Sequence, residues 1–465
     1  MSIPWGLSKR DFITVFCCFM CGFVTTFDIV MVSTNLGAVQ DSFDINTSQT
    51  MIFSQMLAIS YILFFMLSIG LTDRYGKRRA LVSGLSILGV SSLMCCIAWD
   101  FTSLVIFRII SGLGVSLMQT SCNSIITDTV DNKFLGEAMS FCYSFNSFGA
   151  ILAPLIAYPL AKEFGINLLF ISVIPVCFIL VYFLRDIDNV ITRPDLRINY
   201  PVHIMYMISV SLLISAAFSS DLTLRLVCVI AGLALFLLTI YIHRRSVNKV
   251  INAWIFTIRT FTVSIILAFI FSYVNCGIEN SLSQFFQLAV LDIEVLGILI
   301  NTAGLAAVLT SFKPVIQMIA SPLIARFYRN RVTKYISLLG FVLMLFSAIL
   351  ALILFYIGKN PWCIVLVFLV YIIHAFAGSL FTPYNKKVMM SSVPKEDRNT
   401  ASSTSSALGT LASIAGTLTL VNLISDTDSL DSFRLSVTVM FTIVLVVAVI
   451  GVIIAAARKN YSDTR

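Results

Sequence analysis

Along the chain, apolar residues gather into long runs separated by short polar breaks. A helix that crosses a bilayer needs about 20 such residues in succession. Runs of that kind lie near residues 11–37, 48–70, 79–98, 101–126, 137–160, 165–184, 201–219, 223–242, 259–285, 296–325, 333–357, 361–384, 399–424 and 433–457. The pattern predicts an all-α integral membrane protein of about fourteen transmembrane helices. The middle pair, 201–219 and 223–242, is short, and 296–325 is long. The first run exceeds the apolar core of a signal peptide and reads as a first crossing helix. The two longest breaks, 185–200 and 243–258, hold 16 residues each, which leaves no room for a soluble domain.

Composition agrees with this reading. Of the 465 residues, 58% are hydrophobic and 12% charged, with a mean hydropathy of +0.95. A soluble surface needs about 25% charged residues. The net charge of +8 does not indicate nucleic acid, because its lysines and arginines sit in short breaks between apolar runs. The eleven cysteines lie mostly inside those runs and read as packing residues.

The basic residues also set the topology. With the N-terminus inside, 25 of the 31 Lys and Arg fall in inside segments and only four, Lys162, Arg225, Lys359 and Arg434, fall outside. Arg108 and Lys313 fall within runs. Acids such as Asp41, Asp44, Asp426, Asp428 and Asp431 occupy the outside segments. This asymmetry obeys the positive-inside rule and puts both termini in the cytoplasm. Asn46-Thr47-Ser48 is a sequon in an outside segment. The expected layout is two pseudo-symmetric six-helix bundles plus a central two-helix hairpin. Residues 1–184 form the N-terminal bundle and 259–457 the C-terminal bundle. The hairpin, 201–242, lies between cytoplasmic linkers 185–200 and 243–258, and 458–465 is a cytoplasmic tail.

Ionisable groups inside a bilayer are costly and mark functional positions. Asp28 lies in the first run, with Thr25 and Asn35 on its helix face. A carboxyl there can load and release a proton or contact substrate. The alternative is a static pair with Arg108. Glu279, with Ser272 and Asn275 on its face, is a second acid, or an interfacial one if its helix ends early. Arg108 stands before Ser111, Gly112 and Gly114, and Gln119 and Asn123 follow it. Lys313-Pro314 suits snorkelling or a local helix break as well as binding. His374 suits packing or a cavity wall. Tyr143, Asn146, Asn275, Gln284 and Gln287 suit cavity lining or helix–helix hydrogen bonding. Gly149, Ala153 and Ala157, spaced by four with Pro154 beside them, suit a hinge or simple close packing.

The break Gly70-Leu71-Thr72-Asp73-Arg74-Tyr75-Gly76-Lys77-Arg78-Arg79 is short and strongly basic. The positive-inside rule explains its cations but not Asp73 or the two glycines. The glycines allow a sharp turn and close helix approach. Asp73 is expected to accept hydrogen bonds at a helix N-terminus, and the run starting Asn399-Thr400-Ala401-Ser402-Ser403 is the candidate partner. Asp128 is expected to hold Arg74 or Arg78. The expected device is an inner-face latch that favours the outward-open state.

These motifs resemble the major facilitator superfamily, and within it the fourteen-helix drug:proton antiporters. Gly70-x-x-x-Asp73-Arg74-x-Gly76-Lys77-Arg78 is similar to the family signature between helices two and three. Arg108-x-x-Ser111-Gly112-x-Gly114 resembles the fourth-helix motif, with Ser111 where glutamine is usual. Gly149-x-x-x-Ala153-Pro154-x-x-Ala157 resembles the fifth-helix antiporter motif, with alanines for three glycines. Asp28 sits where the branch carries its first-helix acid. The resemblance implies a plasma-membrane monomer that exports small amphipathic or cationic molecules by alternating access, coupled to protons or sodium. Substrate and proton would compete for Asp28, with Glu279 as a second acid. No cofactor or metal is implied. Within transporters, an exporter of one metabolite or lipid fits the same residues. A membrane enzyme is a poor fit: His203, His243 and His374 are far apart, and no HExxH, GxSxG or phosphate-loop motif occurs.

Overall fold

The computed structural model describes residues 4–45, 47–185, 189–218, 221–246, 249–289, 294–295, 298–299, 302–328, 333–357, 362–424 and 430–458. Sixteen α-helices form among them: α1 (Lys9–Ser33), α2 (Leu36–Phe43), α3 (Thr47–Tyr75), α4 (Lys77–Cys96), α5 (Phe101–Thr129), α6 (Asn132–Phe164), α7 (Ile166–Leu169), α8 (Ile174–Leu184), α9 (Tyr200–Phe218), α10 (Leu222–Arg245), α11 (Arg259–Ala289), α12 (Thr302–Phe327), α13 (Thr333–Ile357), α14 (Trp362–Ser391), α15 (Arg398–Ile424) and α16 (Leu430–Ala457). Each predicted run has its helix, α7 and α8 together serving the sixth. Eleven of these passes are long and apolar enough to cross a membrane. Before α12, Glu294–Val295 and Ile298–Leu299 pair antiparallel, so the run expected from 296 becomes helical only at Thr302.

Local chemistry sets the ends. Ser8 caps α1 by accepting from the Asp11 N–H. Asp100 and Ser103 form a reciprocal capping box on α5. α1 stops at Ser33, earlier than the predicted 37, where Ser33 and Thr34 hydroxyls turn back onto the Val30 carbonyl. Pro175 lacks an N–H, and the sixth pass tightens to 3-10 geometry over Phe170–Val173 just before it. Gly70–Arg79 is not a loop throughout. α3 continues to Tyr75, and only Gly76, at φ 97°, stands between it and α4.

The chain divides into two compact units. The first holds residues 1–131, 152–258 and 393–407, and the second holds 132–151, 259–392 and 408–465. In the first, α4 and α5 touch backbone to backbone. A Cβ on Gly84 would lie 2.7 Å from the Gly114 carbonyl oxygen, and one on Gly112 would strike Ser60 on α3. The α9–α10 hairpin rests on α3 through Tyr206, whose hydroxyl donates to the Ile62 carbonyl at 3.0 Å. The second unit is centred on Val274, Ile278, Phe341, Phe381, Met440 and Val444. Phe271 and Phe381 stack there with centroids 4.3 Å apart.

Candidate functional site

In the first unit, Arg108 of α5 reaches Asp28 of α1. Its Nη1 donates to both oxygens of Asp28 at 2.9 Å. The side chains are sealed, at 2% exposure for Arg108 and 0% for Asp28. The guanidinium lies over the Phe170 ring at 5.1 Å. Ser111, one turn on, hydrogen-bonds Ser91 of α4 at 2.8 Å. The static pair that the sequence left open is the arrangement formed. Asn35 does not extend a stripe on α1. It lies beyond the end of that helix, with its Nδ2 donating to the Met31 carbonyl at 2.8 Å. Thr25 bonds its own helix at the Cys21 carbonyl.

The second unit holds a pair of another kind. Glu279 of α11 receives Lys313 Nζ of α12 on Oε1. Lys313 is 5% exposed at the side chain and Glu279 is 42% exposed. Lys313 also donates to Asn275 Oδ1 at 3.0 Å. His374 Nε2 of α14 lies 3.0 Å from that same oxygen, and Asn275 Nδ2 donates to Glu279 Oε2 at 3.1 Å. An oxygen met by two donors fixes the Asn275 amide, and it requires the His374 tautomer with its proton on Nε2. Ser347 meets His374 Nδ1 at 3.4 Å. One turn along α12, Gln317 Nε2 donates to the Tyr143 hydroxyl at 3.0 Å. Gly378 makes room for both, since a Cβ there would lie 2.9 Å from each. α12 runs unbroken through Pro314, so Lys313 is neither at a break nor snorkelling.

Within the first unit, the α3–α4 turn forms a third cluster. Asn399 Nδ2, at the start of α15, donates to Asp73 Oδ1 at 2.6 Å, with both residues buried. Asp128 holds Lys77, not Arg74 or Arg78. Arg78 instead donates to the Leu184 and Arg185 carbonyls, capping the end of α8, where carbonyls lack helical partners. Arg74 lies against the Tyr75 ring at 5.3 Å. Sequence reasoning missed three linker residues here, Asn189, Arg193 and Asn252. Asn189 donates to the Tyr75 carbonyl at 2.8 Å and accepts from the Arg79 N–H at 3.3 Å, bridging the turn at Gly76. Arg193 donates its N–H to the Asp73 carbonyl at 2.9 Å and its Nη2 to Asp397 at 2.8 Å, where Asn252 also donates at 2.8 Å.

Asn123 is buried, with its Nδ2 donating to the Gln119 carbonyl at 3.0 Å, and Gln119 is half-buried. Asn146 is half-buried on α6. Gly149, Ala153 and Ala157 are buried on that helix, which continues through Pro154. Asn46 and the side chains of Gln284 and Gln287 lie outside the described residues. Lys313 is the main residue missed as a partner. Its signal was present, since it and Glu279 are opposite charges within apolar runs, and each needs a counter-charge.

A model of the Major Facilitator Superfamily matches residues 18–417. The 3-(3-hydroxy-phenyl)propionate transporter of Escherichia coli is 28% identical over 156 residues, covering 33% of this chain and 38% of that protein's length. The methylenomycin A resistance protein of Streptomyces coelicolor is 23% identical over 423 residues, covering 88% of this chain and 85% of the relative. A solved POT family transporter, in complex with 5-aminolevulinic acid, has the same fold, with a TM-score of 0.69 at 16% identity over 97% of this chain and 98% of that one. With its transmembrane helices and a family match spanning most of its length, the chain belongs to the Major Facilitator Superfamily and is a multi-pass membrane transporter, not an enzyme.

Proposed function

We propose that the protein carries small organic molecules across the membrane by proton-coupled alternating access, with Glu279 as the acid that loads and releases the proton. The observation that carries this reading is the half-exposed Glu279 carboxylate held against buried Lys313. Such a carboxylate is only partly enclosed and has a partner that responds to its charge. Protonation of Glu279 therefore changes the electrostatics of a buried cation. Asp28 is enclosed with Arg108, and we assign that pair to holding α1 on α5 rather than to proton exchange. The cluster at Asp73, Lys77, Asp128 and Asn399 is read as the inner latch of the transport cycle. Gly149, Ala153, Pro154 and Ala157 are read as the hinge. The proposed layout keeps bundles at 1–184 and 259–457, the hairpin at 201–242, cytoplasmic termini and a plasma-membrane monomer.

Two forms of this function fit the residues. Export of amphipathic compounds by antiport, as in the fourteen-helix drug:proton branch, is supported by the motifs and by similarity to a resistance protein along most of the chain. Transport of one metabolite is supported by Lys313, which sets a cation in the polar cluster, and by similarity to a transporter of an aryl propionate. The test uses full-length protein in proteoliposomes, with an imposed pH gradient and two probes, cationic ethidium and anionic carboxyfluorescein. Wild-type flux of at least one probe is expected to follow the gradient, and Glu279→Gln flux is expected to ignore it. Wild-type flux indifferent to the gradient, or Glu279→Gln flux that still follows it, overturns the reading.

A further inference from the structure

The groups around Glu279 form a receptor for a carboxylate. Lys313 Nζ points at one of its oxygens and Asn275 Nδ2 at the other. This two-donor fork is fixed from behind. Asn275 Oδ1 is taken up by Lys313 and His374, so the amide cannot turn over without losing both bonds. His374 is 1% exposed and Lys313 4%, so the receptor is buried. Its occupant is the exposed partner. A rigid, buried receptor with a half-open guest is suited to exchanging that guest for another of the same shape and charge.

Charge decides which guests qualify. With Glu279 ionised, the cluster is neutral. With Glu279 protonated, Lys313 is a buried cation without its counter-ion, a state of high energy. A monoanion restores neutrality, whereas a cation would face Lys313 directly. Among the described residues, Tyr143 of α6, Cys276 of its own helix and Tyr371 of α14 lie within electrostatic reach of Glu279, and His374 lies within reach of Lys313. None supplies a negative charge at neutral pH.

We propose that the transported molecule carries a carboxylate or similar monoanionic group, which takes the place of Glu279 on the Lys313–Asn275 fork when Glu279 takes up a proton. The inference rests on the reading of Glu279 as the coupling acid. Proton and anion then occupy the cluster together and cross together. Tyr143 and Gln317, one turn away, stand ready to meet a polar group elsewhere on the same molecule.

Chemical rescue tests this without knowledge of the natural substrate. In full-length Glu279→Gln protein, Lys313 lacks its anion, and added formate, acetate or benzoate can supply one. Each is expected to raise the unfolding temperature of Glu279→Gln by several degrees at both pH 6 and pH 8. Benzamide, of the same shape as benzoate but uncharged, is expected to do nothing, and Glu279→Gln/Lys313→Gln is expected to lose the effect. Wild type is expected to bind benzoate more tightly at pH 6 than at pH 8, by up to the about hundredfold that uptake of one proton allows over two pH units. That second measurement stands if Glu279→Gln fails to fold. Rescue by benzamide equal to that by benzoate, rescue that survives the loss of Lys313, or no carboxylate response in either protein overturns the inference. If proton-coupled flux is lost in Glu279→Gln while no carboxylate binds, the coupling acid stands and the anion site falls. If gradient-driven flux persists in Glu279→Gln, the coupling reading itself falls.

Discussion

Asp28–Arg108 in the first unit and Glu279–Lys313 in the second each set one carboxylate against one cation between apolar helices. Their surroundings differ. Arg108 grips both oxygens of Asp28, an aromatic ring covers the guanidinium, and neither side chain meets solvent. Glu279 is held on one oxygen by a point charge and on the other by an amide, and much of its surface is open. A sealed pair in which one charged donor spans both oxygens fixes two helices. A pair held by two separate donors, with an exposed acid, can part and re-form. Charge within a membrane is thus a poor guide to function until its exposure and its donors are known.

Breaking the sealed pair gives the largest expected effect. Asp28→Asn or Arg108→Gln leaves a buried charge unmatched and is expected to cost about 3–5 kcal/mol of stability, read by thermal unfolding in detergent. The double variant is expected to recover much of that loss. Asp28→Asn at wild-type stability with proton coupling lost would instead make Asp28 the titrating acid and reverse the contrast between the two pairs.

The second prediction asks how rigid the first unit is away from its ion pair. Gly76 adopts φ 97°, and a Cβ there would approach Asn189 to 2.3 Å. Gly76→Ala is expected to cost about 1–3 kcal/mol from backbone strain and crowding. Pairing it with Asn189→Gly is expected to relieve only the crowding. A neutral Gly76→Ala would show that the turn adapts and that this unit is less fixed than its sealed pair suggests.

Asp73→Asn comes third. It replaces a charge-assisted hydrogen bond from Asn399 by a neutral one, worth about 1–2 kcal/mol. Transport is expected to slow while probe binding stays within twofold. Lost binding with unchanged flux would move Asp73 from the latch to a substrate site.

The smallest effect is expected at the open pair. His374→Ala removes one of the two donors on Asn275 Oδ1 and is expected to cost about 0.5–1.5 kcal/mol. Its signature is a loss of carboxylate discrimination over amide in the rescue assay. Unchanged discrimination would mean that Lys313 alone orients Asn275.

Much of this molecule was legible along its chain. The fourteen runs each acquired a helix, and the sharp turn at the paired glycines falls at Gly76. Asp73 met the expected segment at Asn399, though through the Asn399 side-chain amide rather than the helix N-terminus. Other features were misjudged from local sequence. Gly70–Arg79 looked like a loop because it is polar, yet α3 stays helical to Tyr75, since helix formation there needs no apolar residues. Asp128 took Lys77, whose place at the start of α4 brings it inward, while Arg78 turned to the carbonyls ending α8. Asn189, Arg193 and Asn252 carry no motif. Their roles come from two linkers folding back onto the α3–α4 turn.

The sequence by itself determined what lipid enforces locally. It established that the chain crosses a membrane, which runs become helices, and which breaks are rich in basic residues. A run of about 20 apolar residues settles its own fate, because its backbone must be satisfied within the run. The tertiary structure alone decided which charges meet. Glu279 and Lys313 are 34 residues apart, Asp28 and Arg108 80, and Asp73 and Asn399 326. In a bilayer both lipid and helix interfaces are apolar, so hydrophobic patterning does not mark which face of a helix meets which neighbour. Packing chose those partners, and with them it separated a sealed pair from an open one.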